Sequence, residues 1–419
     1  MQEIIDNFIE ISKVPRCSFK SEKMELFLRD FAKKQGYTVQ VDGAKNILVS
    51  HREPKMSLQA HYDMVCVGSA PAIETIIEGN ILKAKDSSLG ADNGMAIAMM
   101  MQLMKEQAAL EFLFTSDEEV GLIGAKNLDL PIQSKYLLNL DSEDEGEVYI
   151  GCAGGVDLKF TKELPTVSVD GKFYKLSIGN FPGGHSGVDI DKGIPNAIVT
   201  LANSIKNNGL KIVSFHGGER INSIPANASA IVFANSALDK SKFADNKIEV
   251  EACDSAKVTA FDIDDLLGLP NGVLEKSEVF DVVQSSANIA LADIEKGVVT
   301  IELSLRSLDT DELMHIAKEL EKTYKTKGFE VTLNDKYPGW KPQLNEFTKR
   351  VEQATKDIFG ECELKVIHAG LECGVLSEKL PNVKMASIGP NIRFPHSTRE
   401  YVELDSVKRV YRVVKELLK

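Results

Sequence analysis

The sequence has no uninterrupted apolar run of 18 residues, so no membrane-spanning helix is expected. It also lacks any cluster of lysine and arginine. Its 49 basic residues are outnumbered by 62 acidic ones, for a formal net charge of −13. Nucleic acid and anionic membranes select clustered positive charge, and neither is an expected partner. The opening MQEIIDNFIEISKVPRCS is acidic-polar and amphipathic, without the basic stretch and apolar core of a secretory signal. No CxxC spacing links the six cysteines, Cys17, Cys66, Cys152, Cys253, Cys362 and Cys373. Reduced thiols in a cytoplasmic protein are therefore expected rather than a disulfide scaffold, with Cys66 and Cys373 as packing residues.

What the chain does have is length and apolar content. Its 419 residues, 43% of them hydrophobic, suffice for two or three domains with sizeable cores. Up to about residue 153 the pattern alternates strand and helix. A helix is expected over 22–35, strands over 38–51 and 55–61, a hairpin around Glu78-Gly79-Asn80, and a buried methionine-rich helix over 94–104. A strand over 109–115, a short helix over 120–127 and a strand over 136–141 follow. Such alternation predicts an α/β fold with a helix-covered, mostly parallel sheet. From about 154 the pattern becomes half-buried alternation, as in YKLSIG and VVTIELSLRS, with helices near 194–207 and 310–327, which reads as an α+β insert. Helix 346–358 and strand-like segments 363–367 and 384–388 return to the first pattern. The expected division is 1–153 with 343–419 as one domain and 154–342 as an inserted one.

Within the first pattern, apolar runs end repeatedly in metal-ligand residue types: His61 and Asp63 in SLQAHYDMV, Asp92 in GADNGM, Glu118 and Glu119 in FTSDEEVG, Asp141 in LLNLDSE. A distant His396 in RFPHSTRE completes a set of two histidines and three carboxylates for two metals. Taken singly, each has a plainer reading: HxD as a polar strand end, DEE as a solvated helix start, Asp141 as a cap, His396 as a loop histidine. Jointly they recur at the carboxyl ends of strands, where sites form in α/β sheets. If Asp92 bridges, one metal takes His61 and Asp141 and the other Glu119 and His396, with a water shared between ions about 3.5–4 Å apart. Glu118 is then left over as the base for that water, facing away from Glu119 in an extended segment. Asp63 is placed to orient the His61 imidazole.

Together HYD, GADNGM, DEEVG, NLDSE, GGHSG, HAGLECG and FPHS resemble the M20 metallopeptidases, and within them the Xaa-His dipeptidase branch, over nearly the whole chain. The resemblance implies metal ligands His61, Asp92, Glu119, Asp141 and His396, with Asp63 and Glu118 catalytic. It implies two Zn2+ per chain, with Co2+ or Mn2+ as alternatives, and a cis peptide at Asp92–Asn93. The insert becomes a lid that hinges over the metals. In the lid, His185 of GGHSG would polarise the scissile carbonyl, and Arg306 would hold a substrate carboxylate. Asn288, His368 and Gly370 would be further substrate residues, whereas His51, His216 and His315 read as structural or surface histidines.

The lid also shows two weakly similar halves. In relatives with a doubled lid the histidine comes from the same chain rather than a partner, so either a monomer or a homodimer is compatible. The implied activity is hydrolysis of small dipeptides, Xaa-His or broader, in the cytoplasm. The alternative is an M20-type deacylase or aminoacylase acting on N-acyl amino acids. A non-catalytic binding module would not need Glu118. A two-metal phosphoesterase is disfavoured because the motif segments carry few Lys or Arg for a phosphate.

Overall fold

The computed structural model describes residues 1–50, 53–244, 246–254 and 257–419, so His51 lies outside the described residues. The chain divides into two compact units. The first comprises Met1–Cys152, Trp340–Val366 and Leu371–Lys419, and the second Ala153–Gly339 with Ile367–Gly370. The return of Ile367–Gly370 to the second unit takes His368 and Gly370 with it, which the expected bounds did not anticipate.

The first unit is built on an eight-stranded sheet. Its order is Thr38–Val41, Ile47–Ser50, Glu111–Thr115, Ser57–His61, Tyr136–Asn139, Lys384–Ser387, Glu147–Cys152, Glu363–Ile367. The parallel part is the centre: Ser57–His61 runs parallel to both Glu111–Thr115 and Tyr136–Asn139, and Lys384–Ser387 parallel to Tyr136–Asn139. Thr38–Val41, Ile47–Ser50 and Glu147–Cys152 add antiparallel flanks. Every residue of Ser57–His61 and Glu111–Thr115 is buried, the signature of parallel strands covered on both faces.

Helix Ala91–Lys105 is buried almost throughout, and Met95, Met99, Met100, Met101 and Met104 are at most 1% exposed, so these methionines fill the core. Amphipathic helices cover the sheet. Ile4, Ile5, Phe8 and Ile11 turn one face of Gln2–Ile11 inward, and Val407, Val410, Val414 and Leu417 do the same for Leu404–Leu417. Glu346–Phe359 starts at an Asn345/Thr348 capping box and ends at Gly360, whose φ of +86° suits only glycine.

Two expectations need correction here. Instead of one strand over 38–51, a hairpin turns at Asp42–Asn46, where Asp42 Oδ1 accepts from the N–H groups of Ala44 and Asn46 and Lys45 takes φ +70°. Cys17 and Cys66 are not reduced packing thiols but a disulfide. A parallel bridge between Cys17 and Met64 sets the two segments side by side, with Cα atoms of the cysteines 5.5 Å apart. Cys373 is buried and free.

The second unit is antiparallel throughout its ladders. Its nine-stranded sheet runs Glu249–Cys253, Lys172–Ile178, Ala228–Ala234, Lys211–Gly217, Val283–Glu295, Val298–Ser307, Gly154–Glu163, Glu330–Tyr337, with Gly272–Lys276 paired to Val283–Glu295. Helices Ala197–Asn207 and Thr310–Thr326 pack their apolar sides on one shared core, which includes Leu201, Ile205, Phe215, Ile301, Leu313 and Tyr324. Strand, helix and strand thus occur once in each half, and the halves meet where Phe215 pairs with Ile294.

Candidate active site

The centre of the first unit's sheet delivers its polar residues to one edge. His61 is the last residue of its strand; Glu118 and Glu119 follow Thr115, and Asp141 follows Asn139. Asp92 enters from the start of helix Ala91–Lys105, across a cis Asp92–Asn93 peptide. His61 Nε2 lies 3.0 Å from Asp92 Oδ1 and 3.4 Å from Asp141 Oδ1. His396 Nε2 lies 3.0 Å from Asp92 Oδ2 and 2.9 Å from Glu119 Oε2. Asp92 therefore divides its two oxygens between two groups, His61/Asp92/Asp141 and Asp92/Glu119/His396, each with donor atoms within 4.8 Å of one another.

Glu118 joins His61 and Glu119 in a third such group. It does not sit in an extended segment, as the sequence suggested. Asp117 adopts φ +47° and the chain turns, with the N–H groups of Gly121 and Leu122 donating to Glu118 O. Glu118 N–H donates to Asp63 Oδ1 at 2.9 Å, and Ser18 Oγ donates to Asp63 Oδ2 at 2.7 Å. Asp63 Oδ1 also stands 3.5 Å from His61 Nδ1, so one buried carboxylate braces both the imidazole and the Glu118 turn.

Several bracing residues had no signal in the sequence. Glu400, 2% exposed, accepts from the backbone N–H groups of Leu89, Gly90, Ala91 and Asp92 and so fixes the turn that presents Asp92. Buried Arg16 donates to the carbonyls of Tyr62, Asp63 and Gly90. Gly90 has φ +68°, and a Cβ there would stand 2.5 Å from Arg16 Nη2.

The electrostatics suit divalent cations. Burial, together with Asp92, pushes the Asp141 carboxyl up to about 6. Desolvation and the charges of Glu119, Asp141 and Glu372 hold Glu118 well above the usual carboxylate range. Burial works against the His61 imidazolium, but Asp141, Asp63 and Asp92 outweigh it and raise His61. Burial would likewise raise Asp63, yet His61, Ser18 and the Glu118 N–H together hold it below its ordinary value. Glu119 Oε1 is buried with no hydrogen-bond partner among the described residues. Crowded carboxylates with imidazole nitrogens form an N/O donor set that fits zinc-type ions.

The second unit gathers other residues named from the sequence. Arg306, 7% exposed, donates from Nη1 to Tyr337 Oη at 2.7 Å, and the Tyr337 ring would meet a Cβ on Gly370 at 2.9 Å. Ser286, directly across the ladder from Arg306, has its Oγ 2.7 Å from His368 Nε2. A Cβ on Gly187 would reach His368 O at 2.4 Å and the His185 ring at 3.1 Å, so the two histidines share one neighbourhood. His185 Nδ1 accepts from the N–H groups of Gly187 and Val188, which leaves the proton on Nε2. Asn288 is buried and structurally engaged, donating to Ser223 O and accepting from Asn196 Nδ2. His216 and His315 are exposed.

Burial and the Arg306 charge lower His368 to about 3, so it stays neutral when folded. The unfolded chain takes up this proton near 6.5 while the folded one refuses it. Its contribution to stability is therefore complete above pH 6.5 and is lost as pH falls through about 3. Between pH 6 and 4, His368→Gln is expected to flatten the loss of stability on acidification by up to about 1.4 kcal/mol per pH unit. Urea unfolding of both proteins across that range measures it; parallel slopes would show that His368 is not held neutral.

Known proteins share this architecture. A sequence profile for Peptidase family M20/M25/M40 matches residues 57–419. The chain is 31% identical to the cytosol non-specific dipeptidase of Escherichia coli K12, with 100% of this chain and 97% of that protein aligned. The crystal structure of an aminoacylhistidine dipeptidase from Vibrio alginolyticus matches with a TM-score of 0.85 and 31% identity, covering 99% of this chain and 96% of that one. A tripeptidase from Staphylococcus aureus, 18% identical with a TM-score of 0.60, covers 100% of this chain and 97% of its own and shares the fold alone. Among the described residues, no helix is long and apolar enough to cross a membrane.

Proposed function

As the chain belongs to peptidase family M20/M25/M40 and is therefore a peptide-bond hydrolase, we propose that it is a cytoplasmic metallo-dipeptidase cleaving small dipeptides, of Xaa-His type or more broadly. The observation that carries the reading is the division of Asp92 between two ligand groups. His61, Asp92 and Asp141 would hold one divalent ion, and Asp92, Glu119 and His396 the other. Zinc suits these donors, with cobalt or manganese as alternatives. Two ions so held would polarise the scissile carbonyl and make a shared water acidic.

The protein's own residues do the rest. Glu118 accepts the proton of the attacking water and passes it to the leaving amine as the C–N bond breaks, so that it ends the cycle as it began. Asp63 keeps the His61 ring and the Glu118 turn in register. His185, with its proton on Nε2, donates to the carbonyl oxygen as charge develops there. Arg306, oriented by Tyr337, binds the substrate carboxylate, with His368, Asn288 and Gly370, which lies against the Tyr337 ring, as further substrate residues. The names of the two 31%-identical relatives support a dipeptide rather than a longer peptide as substrate.

Zinc-loaded protein is expected to cleave β-Ala-His, Ala-His and Gly-Leu, to spare N-acetyl-Ala-His and a tripeptide, and to lose activity to a chelator. The rate order across the free dipeptides reads out whether histidine is preferred. Cleavage of the acetylated compound alone would make the protein a deacylase instead.

A further inference from the structure

Beneath the ligand-bearing strand ends lies a row of uncharged polar side chains that ends in one carboxylate. Thr115, Gln59, Asn139 and Ser387 come from the four central parallel strands, Glu372 opens helix Glu372–Lys379, and all five are 0% exposed. Polar groups in such a core are tolerated when their bonds are satisfied in one consistent direction.

That direction can be worked out from one fixed point. The backbone N–H of Asp141 can only donate, and it donates to Asn139 Oδ1 at 3.2 Å, where Ser387 Oγ also donates at 2.5 Å. Asn139 must then present its Nδ2 to Gln59 Oε1, at 2.5 Å. Gln59 in turn must present Nε2 to the next residue, and Glu372 Oε2 accepts it at 2.5 Å and accepts Thr115 Oγ at 2.7 Å. Only an acceptor at Glu372 closes the chain without reversing an amide. Gln59 stands two residues before His61 on the same face of its strand, and Thr115 pairs with His61 across the ladder. The row thus bonds the backbone N–H of Asp141 and flanks His61 along its strand and across the ladder.

We propose that Glu372 is a positioning residue: as the terminal acceptor of this chain it sets the orientation of Gln59 and Asn139, and through them the placement of Asp141 and His61 as metal ligands. The inference rests on the metal-centre reading above. In Glu372→Gln the introduced amide can accept from Gln59 and Thr115 only by leaving its own NH2 buried without an acceptor, at the place where Glu372 Oε1 has no hydrogen-bond partner among the described residues, so a single direction for Gln59 and Asn139 is no longer enforced.

Cobalt(II) titration of the metal-free protein, followed by visible d–d absorption, provides the test alongside thermal unfolding. Wild type is expected to bind two ions; failure to do so would overturn the metal-centre reading itself, independently of Glu372. In E372Q one ion should bind as before and the other roughly ten- to a hundredfold more weakly, the range seen when a partner of a metal ligand is removed. The swap Q59E/E372Q restores the direction, since the carboxylate introduced at position 59 accepts both from Asn139 and from the amide introduced at position 372, and it is expected to recover the lost affinity. Wild-type binding by E372Q overturns the proposal. So does a swap that stays weak or fails to fold, because restored orientation should then suffice. If E372Q alone does not fold, the swap decides.

Discussion

A Glu118→Gln variant should keep both metal ions and lose roughly two to four orders of magnitude in kcat, the usual contribution of a positioned proton acceptor. Retention of metal follows from the geometry. The two groups that share Asp92 are complete without Glu118, and the Glu118 backbone is held by Asp63 through its N–H, which glutamine leaves intact. Loss of turnover follows from chemistry, because an amide of the same shape cannot take the proton of water. The substitution also removes one of several crowded negative charges, so the metal-free protein should fold at least as well as wild type. Metal analysis of the purified variant beside steady-state kinetics gives the answer. A variant with both ions and unchanged kcat would remove Glu118 from the mechanism.

For Asp92→Ala the prediction is different in kind. Asp92 offers one oxygen to each ligand group, so a single truncation takes a ligand from both ions. Metal content should fall from two to below one per chain, and activity should drop further than in Glu118→Gln. Thermal unfolding supplies a separate readout. Wild type should gain stability on adding zinc, by about 2.7 kcal/mol for each site saturated at a hundredfold excess over its Kd. That increment should vanish in Asp92→Ala, whereas Glu118→Gln should retain it. A normal zinc-induced rise in Tm for Asp92→Ala would mean that Asp92 does not bridge.

The clustered residues of the candidate site were legible where an apolar run ends in them, and a buried parallel strand has few other reasons to finish on His61 or on the approach to Asp141. The residues that hold them were not legible, because their partners are remote in sequence. Glu400 is one more acidic residue in STREYVE until it is seen to accept four N–H groups from residues 89–92. Arg16 in KVPRCS looks like a surface charge, yet its guanidinium is buried against three carbonyls. Cys17 and Cys66 have no motif spacing, and only the bridge at Met64 brings them together. The hairpin missed within 38–51 did carry a signal, since Asp42-Gly43 is turn chemistry that the apolar alternation on either side outweighed. Extended geometry for Glu118 and Glu119 failed for a related reason: Asp117 takes a left-handed conformation, with its carboxylate accepting the Phe19 N–H.

The discontinuity of the first unit bears on how the protein is made. A ribosome delivers His61, Asp92, Glu119 and Asp141 early, then emits all of Ala153–Gly339 before His396, Glu400 or the Lys384–Ser387 strand can appear. Until then the nascent chain carries a cluster of buried-type carboxylates that has only one of its two histidines and no Glu400 to hold the Asp92 turn. Order of translation thus lets the second unit, whose ladders need only its own strands, form before the first is complete.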